Sequence, residues 1–260
     1  MTDESLAFPS EPSPLAAAFR RWAAFVVDLV YPPHCAGCGT ASQRHRALCP
    51  SCWSSVRFIE KPYCAVLGIP FRRDEGEGML SPAAIARPPV FDRLRAVALH
   101  EGVARHLVHR LKYRDRTDLA PMMAEWMIRA SDGYVAACDA VVPVPLHARR
   151  MLSRRFNQSA ELARPLARKA GKPLLAHALV RVKPTRRQVG LSARRRAANV
   201  RGAFRVRKGQ LVAIRGKHIL LVDDVYTTGA TVSAAARALK RAGAAEVTVL
   251  TFAMALGGPI

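Results

Sequence analysis

The chain has 260 residues, half of them hydrophobic, which is enough for one substantial core and a smaller accessory module. Charged residues make up 23% of the chain, an ordinary share for a globular protein, so the composition argues against wholesale disorder. The 41 lysines and arginines outnumber the 19 acids and give a formal net charge of +22. Such a surface should attract polyanions: nucleic acid, phosphorylated small molecules or an acidic membrane face.

The first 30 residues are predicted to form a tail and one helix. Residues 1–14 carry acids and prolines, which predict a disordered tail and not a secretory signal, so we expect a cytoplasmic protein. Residues 15–30 are predicted to form an amphipathic helix, because six apolar residues recur at helical spacing. They are Leu15, Ala18, Phe19, Trp22, Val26 and Leu29. The stripe suits docking on the protein's own domain or, alternatively, peripheral contact with a membrane surface, and its charged residues exclude a transmembrane span.

Residues 31–71 carry the cysteines that predict a metal site. Cys35 and Cys38 form one C-x2-C pair, and Cys49 and Cys52 form a second pair ten residues later. Four thiolates at this spacing can surround one tetrahedral Zn²⁺, with a pair of disulfides as the alternative. Four cysteine ligands complete the coordination of the zinc and leave no position for a substrate, so we expect one structural zinc. The remaining cysteines, Cys64 and Cys138, are expected to be small buried residues.

The rest of the chain predicts a linker and then an α/β domain. Residues 72–90 are rich in glycine, proline and charge, which is typical of a linker, and no internal repeat is apparent. Residues 91–260 alternate apolar strands with helical periods, which predicts a mostly parallel sheet. The expected strands are 96–100, 140–144, 203–206, 218–223 and 246–252. The expected helices are 103–112, 119–130, 158–170 and 231–242.

The segment "LLVDDVYTTGAT", residues 220–231, has the pattern of a site for a phosphorylated sugar. Its small turn precedes a helix, where unpaired amide groups and the helix dipole favour a phosphate. Asp223 and Asp224 cannot serve the phosphate, but they can accept hydrogen bonds from vicinal ribose hydroxyls and help place a Mg²⁺. The alternative is an ordinary strand-to-helix turn in which an aspartate caps the helix.

The segment "ILLVDDVYTTGAT" resembles the phosphoribosyl pyrophosphate (PRPP) motif of type I phosphoribosyltransferases. Further segments resemble the ComF family: "LVYPPHCAGCG", "LCPSCW", "LKYRDRTDLAP", "VVPVPLH", "RRFNQSAELA" and "TRRQVGLSARRRAANVRGAF". The resemblance implies an N-terminal zinc-ribbon module joined to a type I phosphoribosyltransferase-like α/β domain. Many relatives have a second set of four cysteines, but Leu67 and "MLSPAAI" lack its partners, so the expectation stays at one zinc.

The resemblance also assigns roles to individual residues. Asp223 and Asp224 would be the catalytic acids, and the phosphoribosyl group would be bound by Val225, Tyr226, Thr227, Thr228, Gly229, Ala230 and Thr231. Tyr226 replaces a commoner leucine and is expected to place its ring at the mouth of the phosphate pocket. Arg114 stands where relatives commonly have glycine, which puts a tight turn there in doubt.

A strongly basic region surrounds this motif. The loop containing His147, Arg149 and Arg150 would face the pyrophosphate by the same resemblance, and guanidinium groups suit phosphate oxygens. We assign pyrophosphate or polyanion binding to His147, Arg149, Arg150, Arg155, Asn157, Gln158, Thr185, Gln188 and Arg196. Asn157 and Gln158 suit helix capping equally well. Residues 185–201 are predicted to form a mobile loop, comparable to the flap that closes over the active site of type I phosphoribosyltransferases. The alternative is a solvated segment of like charge.

Two functions are compatible with these features. The favoured function is a ComF-type protein that binds a phosphoribosyl group, from PRPP or from nucleic acid, and handles single-stranded DNA during DNA uptake. The alternative is an active PRPP-dependent phosphoribosyltransferase that uses Mg²⁺ and an unassigned acceptor. Because no acid occurs between residues 162 and 222, binding of a polyanion there should be dominated by phosphate contacts and steeply dependent on salt.

Overall fold

The computed structural model describes most of the chain beyond residue 30. The described residues are 31–74, 76–113, 116–146, 156–183 and 202–256, with Trp22, Val26, Leu29 and Val200. The chain divides into two compact units, Met1–Cys49 and Pro50–Ile260. Trp22, Val26 and Leu29 belong to the predicted apolar stripe; they are helical and their side chains are exposed. Within the described parts of the chain, no helix has the length and apolar character to cross a membrane.

The secondary structure alternates between strands and helices from residue 93 onward. The helices are α1 (Pro50–Ser54), α2 (Pro82–Ala86), α3 (Gly102–Tyr113), α4 (Ala120–Arg129), α5 (Tyr134–Ala137), α6 (Gln158–Lys169) and α7 (Ala230–Arg241). Short 3₁₀ turns span Thr117–Leu119 and Lys208–Gln210. The strands are β1 (Arg93–Leu99), β2 (Ala140–Pro143), β3 (Leu179–Arg181), β4 (Phe204–Val206), β5 (His218–Tyr226) and β6 (Glu246–Met254). The strands and helices expected between residues 91 and 260 are present, whereas the helix expected at residues 15–30 lies, apart from three residues, outside the described part of the chain.

Four parallel strands form the central sheet, in the order β1-β6-β5-β2. Helix α7 packs against Ile219 of β5 and Val249 of β6 in one hydrophobic cluster. Trp126 of α4 stacks on Phe252, which faces the opposite side of the sheet because successive strand residues alternate. Helices therefore cover both faces, which explains why β5 and β6 are nearly continuous apolar runs. The predicted α/β class with a mostly parallel sheet is confirmed.

The strand at residues 203–206 does not belong to the parallel sheet. As β4 it pairs antiparallel with β3, a strand that the sequence analysis did not predict, and the two form a separate hairpin. Leu179 of β3 and Val206 of β4 are directly opposite each other and buried. The hairpin arms flank the arginine-rich segment, whose residues 184–199 and 201 lie outside the described part of the chain.

Residues 57–86 are built into the α/β domain. The amide of Ile59 donates to the carbonyl of Val97, and the amide of Leu94 donates to the carbonyl of Val66, so this segment hydrogen-bonds along β1. The segment 72–90, expected to be a linker, contains α2, whose N-cap Ser81 is buried and accepts a hydrogen bond from the amide of Ala84. Glycine and proline, from which a linker was predicted, also mark the tight turns of a packed segment.

Candidate functional site

The two aspartates lie near the carboxyl end of β5, at the edge of the sheet where parallel strands of α/β proteins usually bind ligands. The same edge carries the residues that follow the other strands. The amide of His100 after β1 donates to Met254 at the end of β6, and the amide of Val144 after β2 donates to Val222 of β5. The four strands therefore bring their following loops to one edge around the aspartates.

Each aspartate has one carboxylate oxygen held by the protein and one left open. Oδ1 of Asp223 accepts hydrogen bonds from the Ser159 hydroxyl at 2.8 Å and from the Asp224 amide at 2.9 Å. Oδ2 of Asp224 lies 2.9 Å from Nζ of Lys112 at the end of α3. Within the described parts of the chain, Oδ2 of Asp223 and Oδ1 of Asp224 have no partner. Two oxygens on adjacent residues are thus available to a ligand.

The surroundings of the pair change the pKa of Asp223. Burial raises the pKa of Asp223 to about 7, with a further contribution from the negative charge of Asp224. The hydrogen bond from Ser159 and the charge of Lys112 oppose this rise. Lys112 supplies the positive charge next to Asp224, so the site does not carry two uncompensated negative charges.

The turn after β5 presents amide groups at the start of α7. Among the described residues, no group accepts a hydrogen bond from the amides of Thr227, Thr228, Gly229 or Ala230, and the two threonines are exposed. Gly229 is the N-cap residue and has a φ of +71°, which suits glycine. Free amides at a helix N-terminus are a favourable setting for a phosphate.

The side chain of Tyr226 packs against the turn that follows β5. Its ring is half-buried and packs edge-to-face with Phe91, with 6.5 Å between the ring centroids. Its hydroxyl lies 2.7 Å from the position that a Cβ on Gly229 would take. Burial raises the pKa of this hydroxyl. The aromatic ring therefore supports the turn from within and leaves no room for a side chain at residue 229.

Two of the predicted polyanion-binding residues are described. Asn157 is the N-cap of α6: its Oδ1 accepts from the Ser159 amide at 3.2 Å and its Nδ2 donates to the Val144 carbonyl at 3.0 Å. Gln158 is buried, and among the described residues its Nε2 has no hydrogen-bond partner. Seven predicted residues lie outside the described part of the chain, as does Arg114: His147, Arg149, Arg150, Arg155, Thr185, Gln188 and Arg196.

The sequence analysis missed Lys112, Ser159 and His100 as site residues. Lys112 and Ser159 fix the two aspartates, and both stand inside motifs that the sequence analysis quoted, "LKYRDRTDLAP" and "RRFNQSAELA". His100 is half-buried at the same edge, and burial with the charges of Lys112 and Arg105 lowers its pKa, so its imidazole is neutral at pH 7. Each of these residues directly follows a strand or lies at the end of a helix, and this position could have indicated a site residue.

The four predicted zinc ligands form one cluster. The Sγ atoms of Cys35, Cys38, Cys49 and Cys52 all lie within 4.8 Å of one another, and those of Cys38 and Cys49 are 3.8 Å apart. Four sulfurs each about 2.3 Å from a tetrahedral zinc would be separated by about 3.8 Å, so the thiol groups fit this metal. Burial would raise the pKa of Cys35, but amide hydrogen bonds from Cys49, Cys38 and Gly37 outweigh it and lower the pKa to about 6.

Comparisons with known proteins find matches for both the cysteine-bearing segment and the α/β domain. Residues 26–84 match the double zinc ribbon domain, and residues 157–258 match the phosphoribosyl transferase domain. The "DNA utilization protein YhgH" of Salmonella typhimurium is 34% identical over 221 residues, which cover 83% of this chain and 87% of that protein. The "Competence protein F" of Haemophilus influenzae is 27% identical and covers 80% of this chain and 90% of its own length. The chain belongs to the ComF family.

Solved structures are similar over part of the chain. The glutamine PRPP amidotransferase of B. subtilis is 22% identical, with a TM-score of 0.35, and the match covers 55% of this chain and 30% of the amidotransferase.

The double zinc ribbon of the ComF family is present in this chain as two similar turns, of which only the first has four cysteines. The amide of Gly39 donates to the carbonyl of Cys35, and the amide of Gly68 donates in the same way to Cys64. The Sγ of Cys35 accepts from the Cys49 amide at 3.2 Å, and that of Cys64 accepts from the Ser81 amide at 3.2 Å. The chain therefore contains an internal repeat, contrary to the sequence analysis.

The ligand positions of the second turn hold Cys64, Leu67, Ser81 and Ala84. Each of these four residues is buried, and "SPAA" at 81–84 stands where the first turn has "CPSC" at 49–52. Cys64 is buried as predicted, and so is Cys138. Only Cys64 could ligate a metal here, and one thiolate cannot replace four. Within the described residues, the cluster of Cys35 is the one group of three or more potential ligands.

Proposed function

We propose that this ComF-family protein binds a phosphoribosyl ligand with free 2- and 3-hydroxyl groups, of which PRPP is the leading example. One observation carries the proposal: Asp223 and Asp224 each hold one carboxylate oxygen against the protein and leave the other open. Two adjacent acceptors match the two hydroxyl donors of a vicinal diol. The phosphate of the same ligand would take the free amides of residues 227–230, where the dipole of α7 favours an anion.

The diphosphate of PRPP would bring Mg²⁺ with it, because this cation binds phosphate oxygens and keeps several waters. The protein's own part is to hold the ribose and the 5-phosphate. Lys112 and Ser159 fix the orientation of the two carboxylates, and the half-buried setting strengthens hydrogen bonds to them. The cellular role that we propose is the handling of single-stranded DNA during its uptake, which the names of the two relatives support.

The proposal is tested by measuring the affinity of the protein for ribose 5-phosphate and for 2-deoxyribose 5-phosphate by calorimetry. The two sugars carry the same phosphate and differ by one hydroxyl group. A hydrogen bond to a charged group contributes about 1.5–3 kcal/mol, so the deoxy sugar should bind roughly 10- to 150-fold more weakly. Equal affinities in the wild type would overturn the proposal.

Variants test whether the aspartates cause the difference in affinity between the two sugars. Asp223→Asn combined with Asp224→Asn should reduce the difference between the two sugars, and Ser159→Ala should reduce it in part, because the held oxygen of Asp223 is released. The matched control is Glu125→Gln on α4, which removes one charge from an exposed ion pair with Lys169 of α6. The control should discriminate between the sugars as the wild type does.

A second candidate function is phosphoribosyl transfer from PRPP to a nitrogen nucleophile. The observation that favours it is the neutral imidazole of His100, which faces the charges of Lys112 and Asp224 and can accept a proton from such a nucleophile. The test is release of pyrophosphate from PRPP and Mg²⁺ in the presence of a panel of bases. Activity that is lost in Asp223→Ala with Asp224→Ala, and reduced in His100→Asn, would establish transfer.

A further inference from the structure

We infer that single-stranded DNA binds to the open face of the β3–β4 hairpin and not to the aspartate pair, so that DNA and a ribosyl phosphate occupy separate sites. This inference rests on the proposed function. The face consists of the outward residues Val180 and Val182 of the first arm and Arg205 and Arg207 of the second arm, extended by Lys208 in the following 3₁₀ turn.

The chemistry of the DNA backbone excludes the aspartates. Inside a DNA strand the sugar has no 2-hydroxyl and its 3-oxygen is esterified, so it offers no hydroxyl donor to Asp223 or Asp224. The hydroxyl that distinguishes RNA from DNA is the group these carboxylates would read. Two carboxylates next to a phosphodiester would also repel it. A strand of DNA therefore needs another surface of this protein.

The positive charges of the hairpin are not neutralised by acids in the described part of the chain. Every described acid between residues 91 and 256, except Asp223, forms an ion pair with a lysine or arginine. These acids are Asp92, Glu101, Asp118, Glu125, Asp132, Asp139, Glu161, Asp224 and Glu246. No acid occurs in the sequence from residue 162 to residue 222. Among the described residues, the side chains of Arg205, Arg207 and Lys208 have no acidic partner.

The alternation of side chains along β4 places Arg205 and Arg207 on the same, outward side of the strand. Arg205 and Arg207 alternate with Phe204 and Val206, which are buried in the hydrophobic cluster. Residues two apart on a strand point to the same side and lie about 7 Å apart. Val180 is directly opposite Arg205 across the hairpin, so the face combines two guanidinium groups with exposed aliphatic surface. An extended polyanion can follow such a row.

The residues of this face also indicate whether DNA would bind through its phosphates or through base stacking. Phe204, the aromatic residue of the hairpin, faces inward, and Arg181 lies over its ring at 5.3 Å from the centroid. No aromatic side chain among the described residues of the face is open to stacking with a base. Binding should therefore run through phosphates, fall steeply with salt and show little preference for base sequence.

The test measures binding of a fluorescein-labelled 20-nucleotide DNA of mixed sequence by anisotropy over a salt series. Arg205→Ala with Arg207→Ala removes two phosphate contacts, so the slope of log K against log salt should fall by roughly 1.4. The matched control is Arg129→Ala with Arg168→Ala, which removes two exposed arginines from helices α4 and α6 that have no acidic partner in the described part of the chain. The control should keep the wild-type slope.

Two further measurements separate the sites. Asp223→Asn with Asp224→Asn should retain DNA binding, and saturating ribose 5-phosphate should not displace the labelled DNA. Loss of DNA binding in this aspartate variant, or an equal loss in the hairpin and control variants, would overturn the inference. Failure of the wild type to bind ribose 5-phosphate, with DNA binding still dependent on Arg205 and Arg207, would overturn the proposed function alone.

Discussion

The two turns of the double ribbon share a backbone design and differ in what stabilises it. In the first turn, four cysteine sulfurs cluster within 4.8 Å, and Cys38, Gly39 and Thr40 are exposed. In the second turn, Leu67 and Ala84 occupy ligand positions and belong to the hydrophobic cluster of the α/β domain. A short turn with little core of its own needs a metal, and the same turn packed on a sheet does not.

The contacts of the second turn explain how it dispenses with the metal. Its carbonyl groups accept hydrogen bonds from β1: that of Val66 accepts from the amide of Leu94, and that of Ala65 accepts from Nη1 of Arg95 at 3.0 Å. The guanidinium of Arg95 lies over the ring of Tyr63 at 4.7 Å and forms an ion pair with Asp132 at 3.3 Å. Cys64 keeps its hydrogen bonds from the amides of Leu67 and Ser81. The turn geometry is thus retained while packing replaces coordination.

The largest expected effect comes from replacing the first cysteine of each turn, Cys35 or Cys64. Cys35→Ser should lose about one equivalent of zinc and unfold the first turn, because binding of a structural zinc contributes on the order of 10 kcal/mol to such folding. Cys64→Ser should keep the metal. The measurements are metal content by mass spectrometry and amide exchange over residues 35–52. Metal-free wild-type protein, or loss of metal in Cys64→Ser, would contradict the comparison.

The second prediction converts one turn into the other. Leu67→Cys, Ser81→Cys and Ala84→Cys together supply four thiolates at the ligand positions of the second turn. The protein should gain about one further equivalent of zinc, since the amide hydrogen bonds around Cys64 already match those around Cys35. The double substitution without Leu67→Cys serves as the control and should gain none. An unchanged metal content in the triple variant would show that the two turns differ in backbone geometry.

The third prediction concerns the packing of the second turn. Leu67→Ala removes a buried side chain from the hydrophobic cluster and should lower the free energy of unfolding by about 2–5 kcal/mol. A strong chelator should leave this loss unchanged, because the cost arises from a cavity and not from coordination. Urea unfolding with and without chelator measures both quantities. A loss that grows when metal is removed would mean that a metal still contributes to the second turn.

Much of this architecture was predictable because its signals are local. The parallel strands are apolar runs, the helices are periodic, and Cys35 with its three partners and Asp223 with Asp224 are adjacent or regularly spaced. The hairpin was missed because β3 has three residues and its partner follows a long arginine-rich segment. A short antiparallel pair leaves little periodicity in the sequence.

The remaining features depend on contacts between distant parts of the chain. Ser159 and Asp223 are 64 positions apart, and nothing in either local pattern indicates their hydrogen bond. The repeat was hidden because three of the four ligand positions changed, leaving only "CA" and the glycine of "CAVLG" and the proline of "SPAA" in common with the first turn. Burial of Leu67 could be inferred only once the segment was known to lie along β1.

The smallest expected effect compares the glycines of the two turns, which both have positive φ: +82° at Gly39 and +61° at Gly68. An alanine costs about 1–2 kcal/mol in this conformation, and Gly39→Ala should cost that much because no atom lies within 4 Å of the new Cβ. Gly68→Ala should cost roughly 1–3 kcal/mol more, since its Cβ would lie 2.7 Å from the carbonyl oxygen of Leu94, which belongs to β1. Gly209→Ala, with an unrestricted neighbourhood, is the control. Local amide exchange in the zinc-loaded protein gives each cost, and equal costs at Gly39 and Gly68 would mean that the second turn is not pressed against β1.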